Sequence, residues 1–167
     1  MNIIKKIWAP WRISYIKKVE QPKGCVFCLK GQSPESQDCE NLILERGKHN
    51  YILMNAFPYT PGHLLITPYQ HVATPEQLSE EAYHELFALL LKWRKIMNST
   101  MGAHGMNIGM NIGVDGGAGI AEHLHLHIVP RWKGDNNFMT TCSDTRVISQ
   151  SMSEVYELYK KASTSEK

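Results

Sequence analysis

The most informative segment of the sequence is His123-Leu124-His125-Leu126-His127-Ile128-Val129-Pro130-Arg131, in which three histidines alternate with apolar residues. Strict alternation is typical of a β-strand, where residues two positions apart share a face. We therefore expect the three imidazoles to lie on one face and the aliphatic side chains to point into a core. Imidazoles crowded in this way lower one another's pKa and stay neutral near pH 7, as bases or ligands. A solvated surface strand or an adventitious metal site is the alternative interpretation.

The composition bounds the class of protein. A length of 167 residues predicts one domain over residues 1–167, opened by an aromatic and basic arm over residues 1–24. The net charge of +2, without a long basic run, argues against a nucleic-acid partner. The four cysteines do not form a disulfide framework. Without a membrane-length apolar run or a signal-peptide pattern, the sequence predicts a cytoplasmic protein with no membrane partner.

Hydrophobic periodicity and turn signals predict the secondary structure, with residues 29–41 as a loop. The predicted elements are a hairpin of residues 51–57 and 63–67, a long helix that begins at Thr74 or Ser79 and ends near Met97, a strand over 105–113, the histidine strand, and a C-terminal helix over 151–162. Together they predict an α+β fold, in which an antiparallel sheet carries one long helix and a C-terminal helix.

The histidine strand also predicts a chemistry. A nucleophilic imidazole needs one free ring nitrogen, while the other nitrogen is held by a hydrogen-bond acceptor. His125 is best placed for this because it is central and has a histidine on each side. The glycine-rich turn over residues 116–119 can offer backbone amides to an anion, and the chain has no acidic cluster typical of Mg²⁺. The pattern therefore predicts attack on phosphorus through a phosphohistidine-type intermediate.

These motifs resemble a known family. The run His123–Val129 resembles the signature of the histidine triad (HIT) nucleotidyl hydrolases and transferases, and Asn55–His63 resembles the family's Asn…Pro-Gly-His segment. Three further segments are similar to the bacterial branch of diadenosine tetraphosphate phosphorylases and dinucleoside polyphosphate hydrolases: Trp8–Arg12, Ala118–His123 and Pro130–Met139. The resemblance covers most of the chain and implies a HIT-like fold.

The resemblance also implies an activity. It implies an enzyme that cleaves at the α-phosphate of an adenine dinucleoside polyphosphate, such as diadenosine tetraphosphate, through a covalent nucleotidyl-histidine that water or phosphate then breaks. His125 would be the nucleophile, and His127 would donate to a phosphate oxygen or the leaving group. His63 would support the geometry of His125 or the phosphate. The alternatives are a nucleoside phosphoramidase and a nucleotide-binding regulatory module with slow turnover. An AMP-containing substrate, a two-fold homodimer and no organic cofactor are further expectations.

By position, the resemblance assigns a nucleotide pocket. The expected contacts are Asn55 on the ribose hydroxyl, Asn111 near the nucleophile, Phe27 and Leu53 as walls for a purine, and Gly117 and Gly119 beside the phosphates that His125 and His127 meet. Two positions depart from the family pattern. His127 stands where transferase branches often carry glutamine, and Ile120 stands where the family often has glutamine after Ala-Gly. The histidine is the residue of the hydrolytic branches and weakens the case for phosphorolysis, and at Ile120 a phosphate-contacting side-chain amide is missing.

A second motif, Cys25-Val26-Phe27-Cys28, is compatible with a redox pair or half of a zinc site. In the related galactose-1-phosphate uridylyltransferases such a pair joins two histidines, and Pro68–Leu78 resembles that family's sequence. The resemblance implies a structural zinc held by Cys25, Cys28, His71 and His123, with His104 as the reserve ligand. Two reduced thiols without a metal are the alternative. A zinc-carrying interaction domain is a third interpretation of the whole chain.

Overall fold

The computed structural model describes residues 24–135 and 150–165. A five-stranded antiparallel sheet of order β1-β2-β3-β5-β4 forms its centre, which confirms the predicted α+β fold. The strands are β1 Ile43–Arg46, β2 Asn50–Met54, β3 Leu64–Pro68, β4 Gly105–Met110 and β5 Leu126–Arg131, and the helices are α1 Val26–Gln32, α2 Asp38–Asn41, α3 Glu80–Met101 and α4 Met152–Ser165, with 3₁₀ turns at Glu35–Gln37 and Pro75–Gln77. The predicted N-terminal arm over 1–24 lies almost wholly outside the described residues, as does the end of the Pro130–Met139 motif.

Helix α3 begins at the second of its two predicted starts. The Ser79 hydroxyl accepts a hydrogen bond from the Ala82 amide at 3.2 Å and caps the helix. The capping box at Thr74 is also formed, but it closes only the short 3₁₀ turn that precedes the helix. The helix runs four residues past the predicted end at Met97 and stops at Gly102, whose φ of 57° is left-handed.

The main core lies between the sheet and the two longer helices. Leu86, Leu90 and Trp93 of α3 pack in one cluster with the sheet residues Ile66 and Ile128. Burying each of these side chains contributes about 1.5–3 kcal/mol relative to leaving it exposed. The C-terminal helix closes the same core. Among the residues that the structure describes, no helix is long and apolar enough to cross a membrane.

The histidine strand begins later than the alternation predicts. The hydrogen-bonded ladder of β5 starts at Leu126, so His123, at a bend, and His125 lie in a lead-in before it. This lead-in is held at Leu124, whose amide donates to Val72 at 2.6 Å and whose carbonyl accepts from the Thr67 hydroxyl at 2.8 Å. The apolar positions of the alternation are buried as expected.

The predicted loop over residues 29–41 is wrong, because the end of α1, a 3₁₀ turn and α2 occupy it. These pieces are three to seven residues long, too short to carry a periodic hydrophobic signal. They are held from outside by Arg46, whose guanidinium binds the Asp38 carboxylate and the carbonyls of Gly31 and Ser33. Segments fixed by one distant side chain cannot be found from local sequence.

Candidate functional site

The three histidines of the motif lie together on the sheet face that is opposite to α3. The Phe27 ring lies 5.3 Å from the ring of His123 and 5.1 Å from that of His125, and the rings of His125 and His127 are 4.9 Å apart. Phe27 and Leu53 belong to one buried apolar cluster on this face. Of the two expected purine walls, Phe27 therefore stands beside the central histidine, and Leu53, 3% exposed, lies in the same cluster as Phe27.

A single hydrogen bond fixes the ring state of His125. Its Nδ1 lies 2.8 Å from the carbonyl oxygen of His123, and a carbonyl can only accept. Nδ1 therefore carries the proton in the neutral ring, and Nε2 carries the lone pair. This is the tautomer that a nucleophilic imidazole requires.

His63, from the turn before β3, is the partner of His127. The backbone amide of Tyr59 and the side-chain amide of Asn55 both lie 3.2 Å from Nδ1 of His63. The orientation of the Asn55 amide is fixed because its oxygen accepts from the Phe57 amide at 2.9 Å. Nδ1 of His63 is therefore an acceptor, and the proton of the neutral ring sits on Nε2.

That proton determines the ring state of His127. Nε2 of His63 lies 2.9 Å from Nδ1 of His127, so His63 donates and His127 accepts. The proton of His127 then sits on its Nε2, which is buried and has no hydrogen-bond partner. A buried donor without a partner is costly in a folded protein. Beside the lone pair of His125, it is the group that an incoming oxyanion would satisfy.

Burial keeps this pair of imidazoles neutral. Loss of solvent lowers the pKa of His63 to about 3, with smaller contributions from His127 and His125. The pKa of His127 is lowered to about 4, again mainly by burial and less by His125. Mutual crowding, the cause expected from the sequence, lowers these pKa values less than desolvation does.

Tyr59 is a site residue to which the sequence motifs assigned no role. Besides its amide on His63, its ring stacks on that of His127 at 5.9 Å with an interplanar angle of 12°. Its position four residues before His63, within the quoted Pro-Tyr-Thr-Pro-Gly-His segment, was the available signal. Asn55, in turn, reaches the site through His63.

The glycine turn is arranged differently from the expected anion cradle. The amides of Gly117 and Ala118 donate inside the turn, to the carbonyls of Val114 and Gly113. Asn111 is tied to the same turn through the carbonyl of Gly117, at 3.4 Å. Ile120, just after Gly119, packs against the cluster that contains Phe27. The turn therefore reaches the histidine face through an apolar contact.

Four residues form a group that can hold a metal ion: Cys25, Cys28, His71 and His123, whose ligand atoms all lie within 4.8 Å of one another. Four of the six separations run from 3.2 Å between the two Nδ1 atoms to 3.5 Å between Sγ of Cys28 and Nδ1 of His123, and the other two are within 4.8 Å. Tetrahedral zinc with these ligands would place them about 3.3–3.8 Å apart. The spacing therefore fits the ion.

The ring state of His123 also fits. Its Nε2 lies 2.9 Å from the carbonyl of Pro68, so Nε2 carries the proton and Nδ1 turns its lone pair toward the thiols. Burial, then the neighbouring Cys25, raises the pKa of Cys28, so a cation would offset the crowding of two thiolates. The expected reserve ligand, His104, is elsewhere, because its Nδ1 accepts from the Lys133 amide at 2.8 Å.

The comparisons with known proteins agree with this geometry. The HIT domain family model matches residues 36–134. The chain is 34% identical over 160 residues to an AP-4-A phosphorylase of Mycobacterium tuberculosis, which covers 93% of this chain and 82% of that protein. It is 32% identical over 93 residues to the asymmetrical bis(5′-nucleosyl)-tetraphosphatase of Schizosaccharomyces pombe, covering 56% of this chain and 50% of that one.

A solved structure has the same fold. A Zn-bound histidine triad family protein from Mycobacterium smegmatis superposes with a TM-score of 0.67 at 24% identity, covering 85% of this chain and 94% of that one. At this identity the likeness concerns the fold. The expected HIT-like architecture is thereby confirmed.

Proposed function

Because the chain belongs to the histidine triad (HIT) family, we propose that it is a nucleotidyl hydrolase or transferase that cleaves adenine dinucleoside polyphosphates at the α-phosphate. The observation that carries the proposal is that two neighbouring rings, with centroids 4.9 Å apart, have Nε2 atoms of opposite character. Nε2 of His125 has a lone pair, while Nε2 of His127 carries a buried proton without a partner. The named relatives, a phosphorylase and a tetraphosphatase, support the substrate class.

The reaction follows from this pairing. Nε2 of His125 attacks the α-phosphorus, the bond from that phosphorus to the bridging oxygen breaks, and the remaining nucleoside polyphosphate, ATP for diadenosine tetraphosphate, leaves as an anion. His127 stabilises the charge that develops on the phosphoryl oxygens through its hydrogen bond. Water or phosphate then attacks the nucleotidyl-histidine and releases His125.

The low pKa of His127 favours a phosphoanhydride over a phosphoramidate substrate. A neutral imidazole whose pKa is about 4 donates a hydrogen bond but is a poor proton donor at pH 7. A polyphosphate leaves as an anion without taking a proton, whereas an amine needs one. The low pKa of His127 therefore supports the dinucleoside polyphosphate over the nucleoside phosphoramidate.

Product analysis tests the function and separates the two acceptors. The protein is incubated with diadenosine tetraphosphate, with and without inorganic phosphate, and the nucleotides are separated by anion-exchange chromatography. ADP and ATP formed only with phosphate identify a phosphorylase, and AMP and ATP formed in both identify a hydrolase. If neither mixture yields products, the proposed activity is refuted.

We further propose that the group of Cys25, Cys28, His71 and His123 holds a structural zinc. Two thiolates and two imidazoles in a tetrahedral arrangement are ligands typical of zinc. With all four positions filled by protein, the ion would tie α1 to the strand segment that carries His125. Zinc supplies stability here, and the catalytic step depends on the chain's own imidazoles. The reduced thiols that such a site needs accord with the expected cytoplasmic location, which stays a prediction.

The homodimer is the last part of the proposal, supported by an apolar surface beside the edge strand β4. Ile108 of β4 is 45% exposed on the face that carries the core, since it pairs with the buried Ile128. The apolar surface continues on α3 with three exposed residues spaced four apart: Tyr83, Phe87 and Leu91, the last 60% exposed. The opposite flank of α3 faces β1, because Lys92 binds Glu45 there. Within residues 24–135 and 150–165, β4 has a neighbouring strand on one side only, and a strand edge flanked by an apolar stripe suits a second copy.

The dimer is tested by light scattering after size exclusion. Leu91→Glu should convert a wild-type dimer into a monomer. Leu158→Glu is the matched control, because Leu158 is also exposed but lies on the C-terminal helix. A monomeric wild type, or a dimer that survives Leu91→Glu, would contradict the proposed interface.

A further inference from the structure

The C-terminal helix reaches the turn that carries His63. The hydroxyl of Tyr159, a residue of α4 that is 0% exposed, donates to the carbonyl of Gly62 at 3.1 Å. Gly62 immediately precedes His63, and its φ of 78° is a left-handed conformation that favours glycine. A β-carbon at Gly62 would meet the Tyr159 hydroxyl and lie 3.2 Å from the methyl group of Met101. Helix and turn therefore fit closely at this point.

The hydrogen bond acts on the peptide plane from which the His63 side chain projects. The carbonyl of Gly62 and the amide of His63 belong to the same peptide group. The carbonyl accepts from Tyr159, and the amide donates to the carbonyl of Thr60 at 3.2 Å. Because a peptide group is planar, fixing both ends fixes its rotation. The next peptide group is held through the His63 carbonyl, which accepts from the Asn55 amide at 2.9 Å, and the two planes together set the direction of the His63 Cα–Cβ bond.

The ring of Tyr159 is itself held in place. It packs edge-on against Trp93 of α3, with ring centroids 5.7 Å apart and planes at 88°. Trp93 is 0% exposed and lies in the main core. Packing of the ring in the core thus holds the Tyr159 hydroxyl in a fixed position at the turn.

We infer that Tyr159 is a positioning residue for the catalytic pair, which acts by orienting the Gly62–His63 peptide so that Nε2 of His63 meets Nδ1 of His127. Tyr159 lies outside residues 36–134, the part matched by the family model. The C-terminal helix thereby contributes to the reaction without touching the substrate. The inference deepens the proposed function and rests on it for its kinetic consequence.

A matched pair of variants tests the inference. Tyr159→Phe removes the hydroxyl and keeps the ring against Trp93. Tyr156→Phe is the control, because its hydroxyl is also buried and on the same helix but donates to the carbonyl of Ile43, at 3.0 Å. Both variants lose one buried hydrogen bond, so a purely structural role predicts similar losses of stability and no difference in turnover.

Two readouts distinguish positioning from stability, both taken well below the lower melting temperature of the pair. Tyr159→Phe should lower kcat by about tenfold with KM changed less than about twofold, whereas Tyr156→Phe should leave both near wild type. Imidazole ¹⁵N spectra should show His63 of the wild type protonated at Nε2, and a mixture of tautomers in Tyr159→Phe alone. Either equal kinetics of the two variants or an unchanged His63 tautomer in Tyr159→Phe would overturn the inference.

The spectra require no substrate, so the inference and the proposed function fail separately. A wild type that turns over no dinucleoside polyphosphate refutes the function. An unchanged His63 tautomer in Tyr159→Phe refutes the positioning role, whatever the activity of the wild type.

Discussion

The carbonyl oxygen of His123 lies 2.8 Å from Nδ1 of His125, while the side chain of the same His123 belongs to the group that can hold a metal ion. One residue therefore serves the nucleophile with its main chain and the metal group with its ring. Phe27 fills the space between the two, against both imidazoles. The orientation of the nucleophile is consequently tied to whatever holds His123.

His125→Ala should abolish turnover of diadenosine tetraphosphate, because no other ring nitrogen on this face has a free lone pair beside the His127 donor. The pocket walls do not depend on the imidazole, so AMP should still bind. Chromatography of the products and calorimetric titration with AMP give the two readouts. Turnover at the wild-type rate would refute the nucleophilic role.

His127→Gln and His127→Ala should differ strongly. A glutamine amide can accept from His63 through its oxygen and donate to a phosphoryl oxygen through its nitrogen, so it should retain activity within about tenfold. Alanine removes the donor and should lower kcat by about 10²–10³. Equal activity of the two variants in a steady-state assay would show that the hydrogen bond from His127 is not used.

Cys28→Ser should remove the metal and lower the melting temperature, because one of the ligands of the group is lost. Cys39→Ser is the control, since Cys39 is an exposed free thiol outside the group. Elemental analysis after dialysis should find one zinc per chain in the wild type and in Cys39→Ser only. A stable wild type without metal would refute the zinc site.

Stability should fall as the pH falls below 6.5, partly because of His63. Its pKa is about 3 in the folded protein and has an ordinary value of 6.5, so between these values the unfolded chain binds a proton that the folded protein excludes. His63→Gln removes this group. The unfolding free energy of the wild type minus that of the variant should therefore decrease as the pH is lowered, by about 1.4 kcal/mol per pH unit between about pH 6 and 4. Urea titrations at several pH values measure the difference, and a constant difference would contradict a buried neutral His63.

Much of the fold could be predicted because its signals are local. Alternation predicted the apolar side of the histidine segment, the Pro-Gly turn predicted the hairpin of β2 and β3, and helical spacing predicted α3. The start of β5 could not be predicted, because Leu124 is held by Val72 and Thr67 across the sheet. Sequence pattern gives the direction of side chains but not their partners.

The candidate site divides in the same way. The members of the motifs could be named from spacing and resemblance, but the contacts that set their ring states are distant in sequence. His63 and His127 are 64 residues apart, and Tyr159 lies 97 residues from Gly62. Such pairs have no local signature. The amides of the glycine turn were expected to face an anion, yet the backbone closes the turn on itself at Gly117 and Ala118.

The unpartnered Nε2 of His127 links the affinity for a ligand to the stability of the folded protein. A buried donor without an acceptor costs a folded protein about 1–3 kcal/mol, and the first oxyanion to reach it recovers that energy. An oxyanion bound at this atom should therefore stabilise the fold as well as complete the reaction site. Protein purified without nucleotide or phosphate should unfold at a lower temperature than protein to which they are added.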